Sequence, residues 1–500
     1  MRHATIVAAA MAAALTSSDA LAQEMRIGLQ DDVDVLDPAR SRTFVGEVVF
    51  ESLCDSLVAV GPDLVAKPEL ASDWSWNDDS TELTMTLNPD MRFHDGTPID
   101  AKAVKANLDR AMTLDESMRK TELQSVTSVE VVGDLTFKIK LKQPDPTLLP
   151  QLSNRAGMIA SPAAFGEGGD LSLNPVCSGP FKFVEREQNY QIVLEKFADY
   201  RNADDYHFDR VVFMPIPDTT VRLANLRSGD LDMLERLAPS DIPEVRDDPD
   251  LQLALVTSVG YQGLTMNVGN GARADSPLGK DKRVRQALQL AIGRDVINEV
   301  VGAGTYEPAQ QPFGPESPFH DGAFPVAGRD VEKAKALLKE AGYDRVPFEL
   351  IFANSTTGQQ TAELIQAMVA EAGFDATLKS SEFASMLQAT QEGDYDVVQI
   401  GWSGRYDPDG NLHQFVTCGA GLNYAGYCND KVDELLNGAK VEPDFDKRKA
   451  LYDQAQAILQ DELPIIYLYH QPWPFVVAKD IHGFQPLPTG IISLKGVTKG

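Results

Sequence analysis

The chain has few basic residues for its length. Its 45 lysines and arginines are outnumbered by 74 aspartates and glutamates, which gives a formal net charge of -29 at pH 7. A surface of this sign repels phosphate backbones and anionic lipid headgroups. We therefore expect no nucleic-acid partner and no binding to an anionic membrane surface.

After its first 22 residues, the sequence lacks an apolar run of the ~20 residues that a membrane-spanning helix needs. The first 22 residues contain a shorter run, Ile6 to Leu15, which follows Arg2 and His3 and precedes Ala20-Leu21-Ala22. A basic start, a short apolar centre and a small-x-small site are typical of a secretory signal peptide. We predict cleavage before Gln23 and export to the periplasm.

The motifs of several large enzyme classes are missing. The sequence contains no Gly-x-Ser-x-Gly, no P-loop, no His-Glu-x-x-His and no Gly-x-Gly-x-x-Gly after a strand. The histidines after the predicted cleavage site are scattered: His94, His207, His320, His413, His470 and His482. We therefore expect a protein without a cofactor that is not an enzyme, and an exported enzyme is the weakest alternative.

Cysteine is rare as well, with four residues and no Cys-x-x-Cys spacing of the kind that holds zinc. Exported proteins favour disulfides. Cys418 and Cys428 flank a glycine-rich loop that a disulfide would close, which leaves Cys54 and Cys177 as the second pair. Four cysteines allow three pairings, so the connectivity stays open at this point.

The hydrophobic pattern is clearest in the C-terminal half of the chain. Strand patterns at 348–353, 374–378 and 396–400 alternate with helix patterns at 357–372 and 383–391. A β-α-β-α-β series of this kind implies a parallel sheet that is covered by helices. A chain of 500 residues exceeds the size of one hydrophobic core, so we expect at least two domains.

A polar and aromatic loop, Gly401 to Gly410, directly follows the last of these strands. Its chemically useful side chains are Trp402, Arg405, Tyr406, Asp407 and Asp409. Ligands bind outside the carboxyl ends of strands in open parallel sheets. Trp402 would then stack on a ligand and Arg405 would bind an anionic group in bidentate fashion. The alternative is a structural loop in which Trp402 packs and Arg405 pairs with Asp407.

Three motifs resemble landmarks of one protein family. The first comprises Pro68-Glu69-Leu70-Ala71, Trp74, Phe93-His94-Asp95-Gly96-Thr97-Pro98, Ala101 and Val104. The second is Asn174 to Phe183, in which Cys177 replaces a residue that is usually small, and the third is Lys282 to Leu288 with Ala291, Ile292 and Arg294. In this order they resemble family 5 of the extracellular solute-binding proteins, the peptide/nickel-type binding proteins of ABC transporters. The resemblance spans about residues 25 to 480.

The resemblance implies an α/β protein with the bilobal, hinged periplasmic-binding-protein fold (type II, cluster C-like) and an extra inserted domain. Lobe I would be discontinuous and would comprise residues 23–64, 173–261 and 478–500. The inserted domain would cover residues 65–172, and lobe II would cover residues 262–477.

The resemblance also implies a function. The protein would be an ABC transporter substrate-binding protein, a monomer that captures a peptide or opine-like solute and delivers it to permease subunits in the inner membrane. The alternative is a binder of a metal–chelator complex, as in the nickel-type members. His413 would contact such a complex, but one histidine cannot hold a bare metal ion, so the metal would arrive with its chelator.

One position departs from the family's pattern. Dipeptide-binding members carry an acidic residue just after Gly-Trp-x-Gly, where it pairs with the free amine of the ligand. Arg405 stands at that position here, and a guanidinium needs an anion instead. That anion is either a ligand group or an internal carboxylate such as Asp407 or Asp409, and either aspartate could still hold an amine. Family position adds further expected ligand contacts: Ser41, Arg42, Thr43, Tyr261, Asn423 and Tyr424.

Overall fold

The computed structural model describes residues 23–60, 66–145, 147–166, 168–315, 317–405, 407–442 and 444–500. The predicted signal peptide, residues 1–22, and Tyr406 of the predicted site loop lie outside the described residues. Within the described ranges, no helix combines the length and the apolar character that crossing a bilayer requires.

The helices and strands are numbered here in chain order. Up to Phe165 they are β1 (Glu24–Leu29), α1 (Phe44–Leu53), β2 (Val58–Val60), β3 (Ala66–Pro68), β4 (Ala71–Trp76), β5 (Glu82–Leu87), α2 (Ala101–Thr113), β6 (Val126–Val131), β7 (Thr136–Leu141), α3 (Leu148–Leu152) and α4 (Pro162–Phe165). From there to Thr257 they are β8 (Phe181–Glu187), β9 (Gln191–Lys196), β10 (Arg210–Pro215), α5 (Thr219–Ser228), β11 (Met233–Leu234), α6 (Ile242–Asp247) and β12 (Leu251–Thr257). The remaining elements are β13 (Tyr261–Met266), α7 (Pro277–Lys280), α8 (Lys282–Ala291), α9 (Arg294–Val300), β14 (Glu307–Pro308), α10 (Val331–Glu340), β15 (Val346–Ala353), α11 (Thr356–Ala370), β16 (Phe374–Ser381), α12 (Phe383–Gln391), β17 (Val397–Trp402), α13 (Asp409–Val416), α14 (Asp430–Val441), α15 (Phe445–Glu462), β18 (Ile465–His470), β19 (Pro472–Ala478), β20 (Ile481–His482) and β21 (Thr498–Lys499).

The first lobe is built on a seven-stranded sheet in the order β12-β19-β11-β1-β10-β9-β8. Its central strand β1 runs parallel to both neighbours, β10 and β11. Met25, Ile27 and Leu29 of β1 are buried in one core together with Phe475 of β19, as the alternation of β1 requires. Residues from both ends of the chain therefore share this lobe.

The second lobe is built on a six-stranded sheet in the order β14-β18-β13-β17-β15-β16. Strands β16, β15 and β17 are parallel, and α11 and α12 connect them, which confirms the predicted β-α-β-α-β unit. Strand β17 is longer than predicted, because Trp402 pairs with Tyr261 of β13 and so belongs to the strand rather than to the loop.

A smaller antiparallel sheet, β4-β5-β7-β6, lies between β3 and β8 in sequence and packs on α2. Its core is separate from those of the two lobes and includes Leu83, Met85, Phe137 and Ile139. Phe93 of the first family landmark is buried in the same core. The landmark therefore supports packing in this region.

The chain passes between the two large sheets at two places within the described residues, after Thr257 and after His470. The second crossing differs from the predicted end of lobe II at residue 477. Strand β19, which contains that residue, pairs with β11 and β12 of the first lobe. Two large sheets joined by these crossings, with a smaller third sheet, form the bilobal α/β arrangement that the resemblance implied.

Both expected disulfides are present, which confirms the predicted pairing. Cys54 at the end of α1 bonds to Cys177 before β8, and Cys418 bonds to Cys428 after α13. The first bridge joins segments that are 123 positions apart, and the second closes a short loop. No free cysteine occurs in the part of the chain that the structure describes.

The first two family landmarks contact each other at His94. Its Nε2 lies 3.0 Å from the carbonyl oxygen of Gly179, and its Nδ1 accepts a hydrogen bond of 3.3 Å from the Cys177 amide. Burial lowers the pKa of His94 to about 4, so the ring is neutral at pH 7. His94 thus ties the small sheet to the first lobe and has no free nitrogen for a ligand.

Candidate ligand-binding site

A cavity lies between the two lobes, at the carboxyl ends of parallel strands from both large sheets. Asp31 follows β1 and Arg236 follows β11 on one side, and Ser355 follows β15 on the other side, where Trp402 ends β17. Open parallel sheets bind ligands at this edge.

Aromatic rings from both lobes form much of the wall: Phe44, Tyr306, Phe383, Trp402, Phe415, Tyr424, Tyr469 and Trp473. The rings of Phe44 and Trp473 are stacked, with centroids 4.7 Å apart. Trp402 meets Phe415 edge to face at 5.0 Å. Such walls suit a small organic solute, with a few polar groups setting its orientation.

Arg236 brings a positive charge to this wall. Its guanidinium carbon lies 4.9 Å from the Phe44 ring centroid and 5.0 Å from that of Trp473. The backbone of Arg236 has a φ of 52°, a left-handed conformation that is uncommon for a large side chain and often marks functional sites. Its Nε is buried and has no hydrogen-bond partner among the described residues. Glu235 Oε2 lies 3.8 Å from this Nε, within the distance of an ion pair but too far for a hydrogen bond.

Asp31 brings a negative charge to the same wall. The residue is 6% exposed, and its carboxylate accepts a hydrogen bond of 3.3 Å from Gln30 Nε2. Burial raises the pKa of Asp31 to about 6, although the charge of Arg236 opposes this shift. The carboxylate therefore lies in the cavity wall with little compensation for its charge.

Of the predicted residues Ser41, Arg42 and Thr43, Arg42 lines the cavity. Ser41 Oγ and Thr43 Oγ1 each donate a hydrogen bond of 2.9 Å to Asp34 Oδ1, and Thr43 also caps α1. Both are buried. The Nε of Arg42 lies 3.8 Å from Asp34 Oδ2, too far for a hydrogen bond.

Of the predicted aromatic and amide contacts, some line the cavity and others are held inside the second lobe. Trp402 and Tyr424 line the cavity. Tyr261 is 4% exposed and packs against Tyr467 and Phe415 in the core of the second lobe. The side-chain amide of Asn423 donates hydrogen bonds to the carbonyl oxygens of Thr417 and Tyr427, at 2.8 and 2.6 Å, and thereby holds its own loop.

Arg405 lies at a second cavity and pairs with a carboxylate that the sequence did not indicate. Its Nη2 donates a hydrogen bond of 2.7 Å to Oε2 of Glu47 in α1, and its guanidinium carbon lies 4.4 Å from the Trp402 ring. Asn154 Nδ2 donates to the other oxygen of Glu47 at 2.6 Å. Burial alone would raise the pKa of Glu47, but the charges of Arg405 and Arg155 lower it below its ordinary value.

Asp407 and Asp409, the expected internal partners of Arg405, pair elsewhere. Asp407 accepts two hydrogen bonds from Arg448, at 2.8 and 3.0 Å. Asp409 Oδ2 lies 3.7 Å from Lys440 Nζ and accepts a hydrogen bond of 3.3 Å from Gln151. Both carboxylates are buried, and cations of the second lobe compensate their charges.

His413, the residue expected at a metal chelate, is buried on α13 with its Nε2 3.1 Å from Asn437 Oδ1. It does not line the cavity between the lobes. Among the described residues, Cys418, Cys428 and Asp430 form the one cluster with metal-ligand spacing, and its two cysteines are joined in a disulfide. Among the residues that the structure describes, the surroundings of His413 therefore provide no set of ligands for a metal.

Sequence reasoning missed Asp31 and Arg236. The strand-end rule that selected Trp402 would also have selected Asp31, because β1 is a recognisable strand that ends two residues earlier. Arg236 had no comparable signal, since β11 contains two residues and becomes a strand only by pairing with β1 and β19.

The chain is similar in sequence to known proteins over most of its length. The sequence model of a protein family, described as bacterial extracellular solute-binding proteins, family 5 Middle, matches residues 65–423 of the chain. The chain is 28% identical over 507 residues to a glutathione-binding protein of Pectobacterium atrosepticum, with 98% of this chain and 97% of that protein covered. It is 27% identical to a dipeptide-binding protein of Escherichia coli, with 85% and 84% covered.

A solved structure shows the same fold over almost the whole chain. It is the periplasmic binding protein AgaA of A. tumefaciens R10 in complex with agropinic acid. The TM-score is 0.88 at 26% identity, with 95% of this chain and 99% of AgaA covered. The fold class predicted from the sequence is confirmed by this match.

Proposed function

The chain belongs to family 5 of the bacterial extracellular solute-binding proteins, and we propose that it captures a peptide or opine-like solute with an anionic group. Members of this family are the solute-binding components of transporters and are not enzymes. They bind small molecules and work with permease subunits in the membrane. The proposed destination of this chain is the periplasm, where it would act as a monomer.

The observation that carries the proposal is the charge of the cavity wall. Although the protein has a net charge of -29, this cavity contains Arg42 and Arg236 among aromatic rings. Each of the two guanidinium groups lies 3.8 Å from one carboxylate of the described residues, too far for a hydrogen bond. Their N–H groups can therefore receive a carboxylate of the solute, whose geometry matches the planar fork. The relatives named for glutathione and dipeptides, and the one bound to agropinic acid, support a small solute that carries a carboxylate.

The proposed binding mode assigns different tasks to the residues that the sequence singled out. Trp402 and Tyr424 would cover the solute, and Arg42 would bind its anionic group. Arg405 would stabilise the contact between the lobes instead of binding the solute. A ligand that contacts both lobes favours the closed form and thereby shifts the equilibrium of closure.

The first test identifies the solute and then measures its affinity. Mass spectrometry of the denatured protein should detect a copurified small peptide or opine-like acid, and calorimetry with the wild type should give a saturable affinity. Arg42→Ala should weaken that affinity by about 30-fold or more, because it removes a charge-assisted contact.

Arg40→Ala is the matched control. Arg40 lies two residues away, 3.8 Å from Asp170 in an exposed pair, and does not line the cavity. Its removal should leave affinity unchanged. A solute without any anionic group, or equal affinity in Arg42→Ala and wild type, would contradict the proposed mode of binding.

A further inference from the structure

Asp31 and Arg236 lie at the ends of two adjacent parallel strands and do not pair with each other. The register of β1 and β11 aligns Gly28 with Leu234, so Asp31 and Arg236 leave the sheet at the same edge. The positive charge of Arg236 lowers the pKa of Asp31, yet these two described residues form no ion pair within 4.0 Å. Two opposite charges therefore line one cavity wall with a gap between them.

Within the described residues, neither charge has a hydrogen-bonded partner of opposite charge: Arg236 Nε lies 3.8 Å from Glu235 Oε2, and Asp31 accepts only from Gln30. The Asp31 carboxylate has one hydrogen bond, from a neutral amide at 3.3 Å, although the residue is more than nine-tenths buried. The neighbouring Glu235 is also buried, but its Oε1 accepts a hydrogen bond of 3.0 Å from the Gln30 amide. A buried carboxylate needs cations or several donors to stay ionised.

Arg236 is held in position by two aromatic rings of the cavity wall. The stacked rings of Phe44 and Trp473 lie about equally far from its guanidinium, at 4.9 and 5.0 Å. Contacts with ring faces leave the N–H groups at the edge of the guanidinium free to donate. The left-handed backbone at this residue is a cost that the surrounding structure must offset, as is common where a side chain is placed for binding.

The chemical group that fits both charges is an α-amino-acid head, in which an ammonium and a carboxylate are attached to one carbon. We propose that Asp31 binds the ammonium and Arg236 the carboxylate of such a head, so that the solute is an amino acid substituted through its side chain. An α-linked dipeptide has no such head, because its free amine and free carboxylate are on different residues. The inference rests on the proposed function and specifies its class of solute.

The ionisation of Asp31 is consistent with this assignment. Burial raises its pKa and Glu235 adds to the shift, whereas Arg236, Arg222 and the amide of Gln30 lower it. A ligand ammonium would add a further cation next to the carboxylate and keep it ionised at pH 7. The site would then be complete only when the solute is bound.

Two isomeric probes test the proposal, γ-L-glutamylglycine and α-L-glutamylglycine. They have the same composition and the same ionisable groups, but only the γ isomer carries an α-amino-acid head. Calorimetry should show that the γ isomer binds at least about 30-fold more tightly. The N-acetylated γ isomer should bind more weakly by a similar factor.

Asp31→Asn provides the second measurement. This variant should lose affinity for the γ isomer by about 30-fold or more and should bind the N-acetylated form as the wild type does. Circular dichroism and the melting temperature would show that the variant is folded. The N-acetylated probe serves as the internal control for a general defect of the cavity.

The outcomes separate the two proposals. If the α isomer or the N-acetylated form binds as tightly as the γ isomer, the head subsite is wrong and the proposed function stands. The same holds if the γ isomer fails to bind up to about 1 mM while another anionic solute binds. If neither the isomers nor any copurified solute binds, the proposed function itself fails.

Discussion

Arg405 Nη2 lies 2.7 Å from Glu47 Oε2 although the two residues are 358 positions apart in the chain. Glu47 belongs to α1 of the first lobe, and Arg405 follows β17 of the second lobe. Both side chains are largely buried, at 16% and 5% exposed. An ion pair that is shielded from water thus connects the two lobes within the loop in which a ligand contact was expected.

Removal of this pair should open the lobes. In Arg405→Ala, Glu47 keeps its contacts with Asn154 and with Arg155, whose Nη2 is 3.6 Å away. Because these partners still compensate the carboxylate in part, the free energy that favours the closed form should fall by an amount near the lower end of about 3–5 kcal/mol. Opening would let water reach the carboxylate, and small-angle scattering of the ligand-free variant should show larger dimensions. Arg405→Lys should restore part of the closure, because it keeps the charge without the planar fork.

Arg448→Ala is the control for this prediction. Arg448 binds Asp407 within the second lobe through two hydrogen bonds, so its loss should lower the melting temperature without a change in the dimensions. Unchanged scattering for Arg405→Ala would mean that the pair does not contribute to closure.

The carboxyl group of Asp31 should make stability depend on pH. Its pKa in the folded protein is about 6, above the ordinary value of 3.8, so between these values the folded state retains a proton that the unfolded state has released. Stability should therefore decrease as pH rises from about 4 to above 6, by a total of about 3 kcal/mol. Asp31→Asn should remove this loss.

Urea unfolding of ligand-free wild type and Asp31→Asn at pH 4 and pH 7.5 checks the sign. The two proteins should be about equally stable at pH 4, and the variant should be the more stable at pH 7.5. A variant that is less stable at pH 7.5 would show that Asp31 is compensated within the protein.

The two disulfides should differ in their contribution and in their reactivity. A loop of 123 positions closed by Cys54–Cys177 predicts about 5 kcal/mol, and a loop of ten positions closed by Cys418–Cys428 predicts about 3 kcal/mol. Cys54 and Cys177 are buried, whereas Cys428 is exposed. The difference in stability is measured by denaturant unfolding of two variants, each with both cysteines of one disulfide replaced by serine.

Peptide mapping after mild reduction and alkylation measures the second difference. Cys418 and Cys428 should be labelled first, since a reductant reaches the exposed sulfur. Earlier labelling of Cys54 would mean that the core around it opens more easily than its burial indicates.

Gly260, at the first crossing between the lobes, should not tolerate a side chain. A Cβ at this position would lie 2.0 Å from the carbonyl oxygen of Trp402. Gly260→Ala should therefore displace Trp402 in the cavity wall, cost about 1–3 kcal/mol of stability and weaken solute binding. Gly328→Ala, where the added atom meets nothing within 4 Å, is the control. Equal melting temperatures for the two variants would contradict the predicted clash.

Local patterns accounted for much of the fold. Helix α12 covers Phe383–Gln391 as predicted, and α11 and β17 differ from their predicted limits by a few residues, because short-range periodicity reports which face of an element is buried. The order of the family landmarks indicated the family and the bilobal architecture. The pairing of Cys418 with Cys428 could also be predicted, because the two cysteines flank a short glycine-rich loop and the length of that loop is a local property of the chain.

The composition of the site depended on contacts between distant segments. Trp402, Arg42 and Tyr424 line the cavity, whereas Tyr261 and Asp409 are placed in the interior of the second lobe. A residue list from one sequence cannot distinguish these cases, because a loop side chain and a core side chain share the same local pattern.

Sequence patterns alone indicated the class of the protein, an acidic α/β chain with two disulfides and the ordered landmarks of a solute-binding family. Which charged side chains lie close together followed from the packing of the two lobes. Strand pairing between β1 and β11 places Asp31 near Arg236, and the approach of the two lobes brings Glu47 of α1 to Arg405. The interaction of two charges depends on their distance in space, and that distance is set by how all the elements pack together.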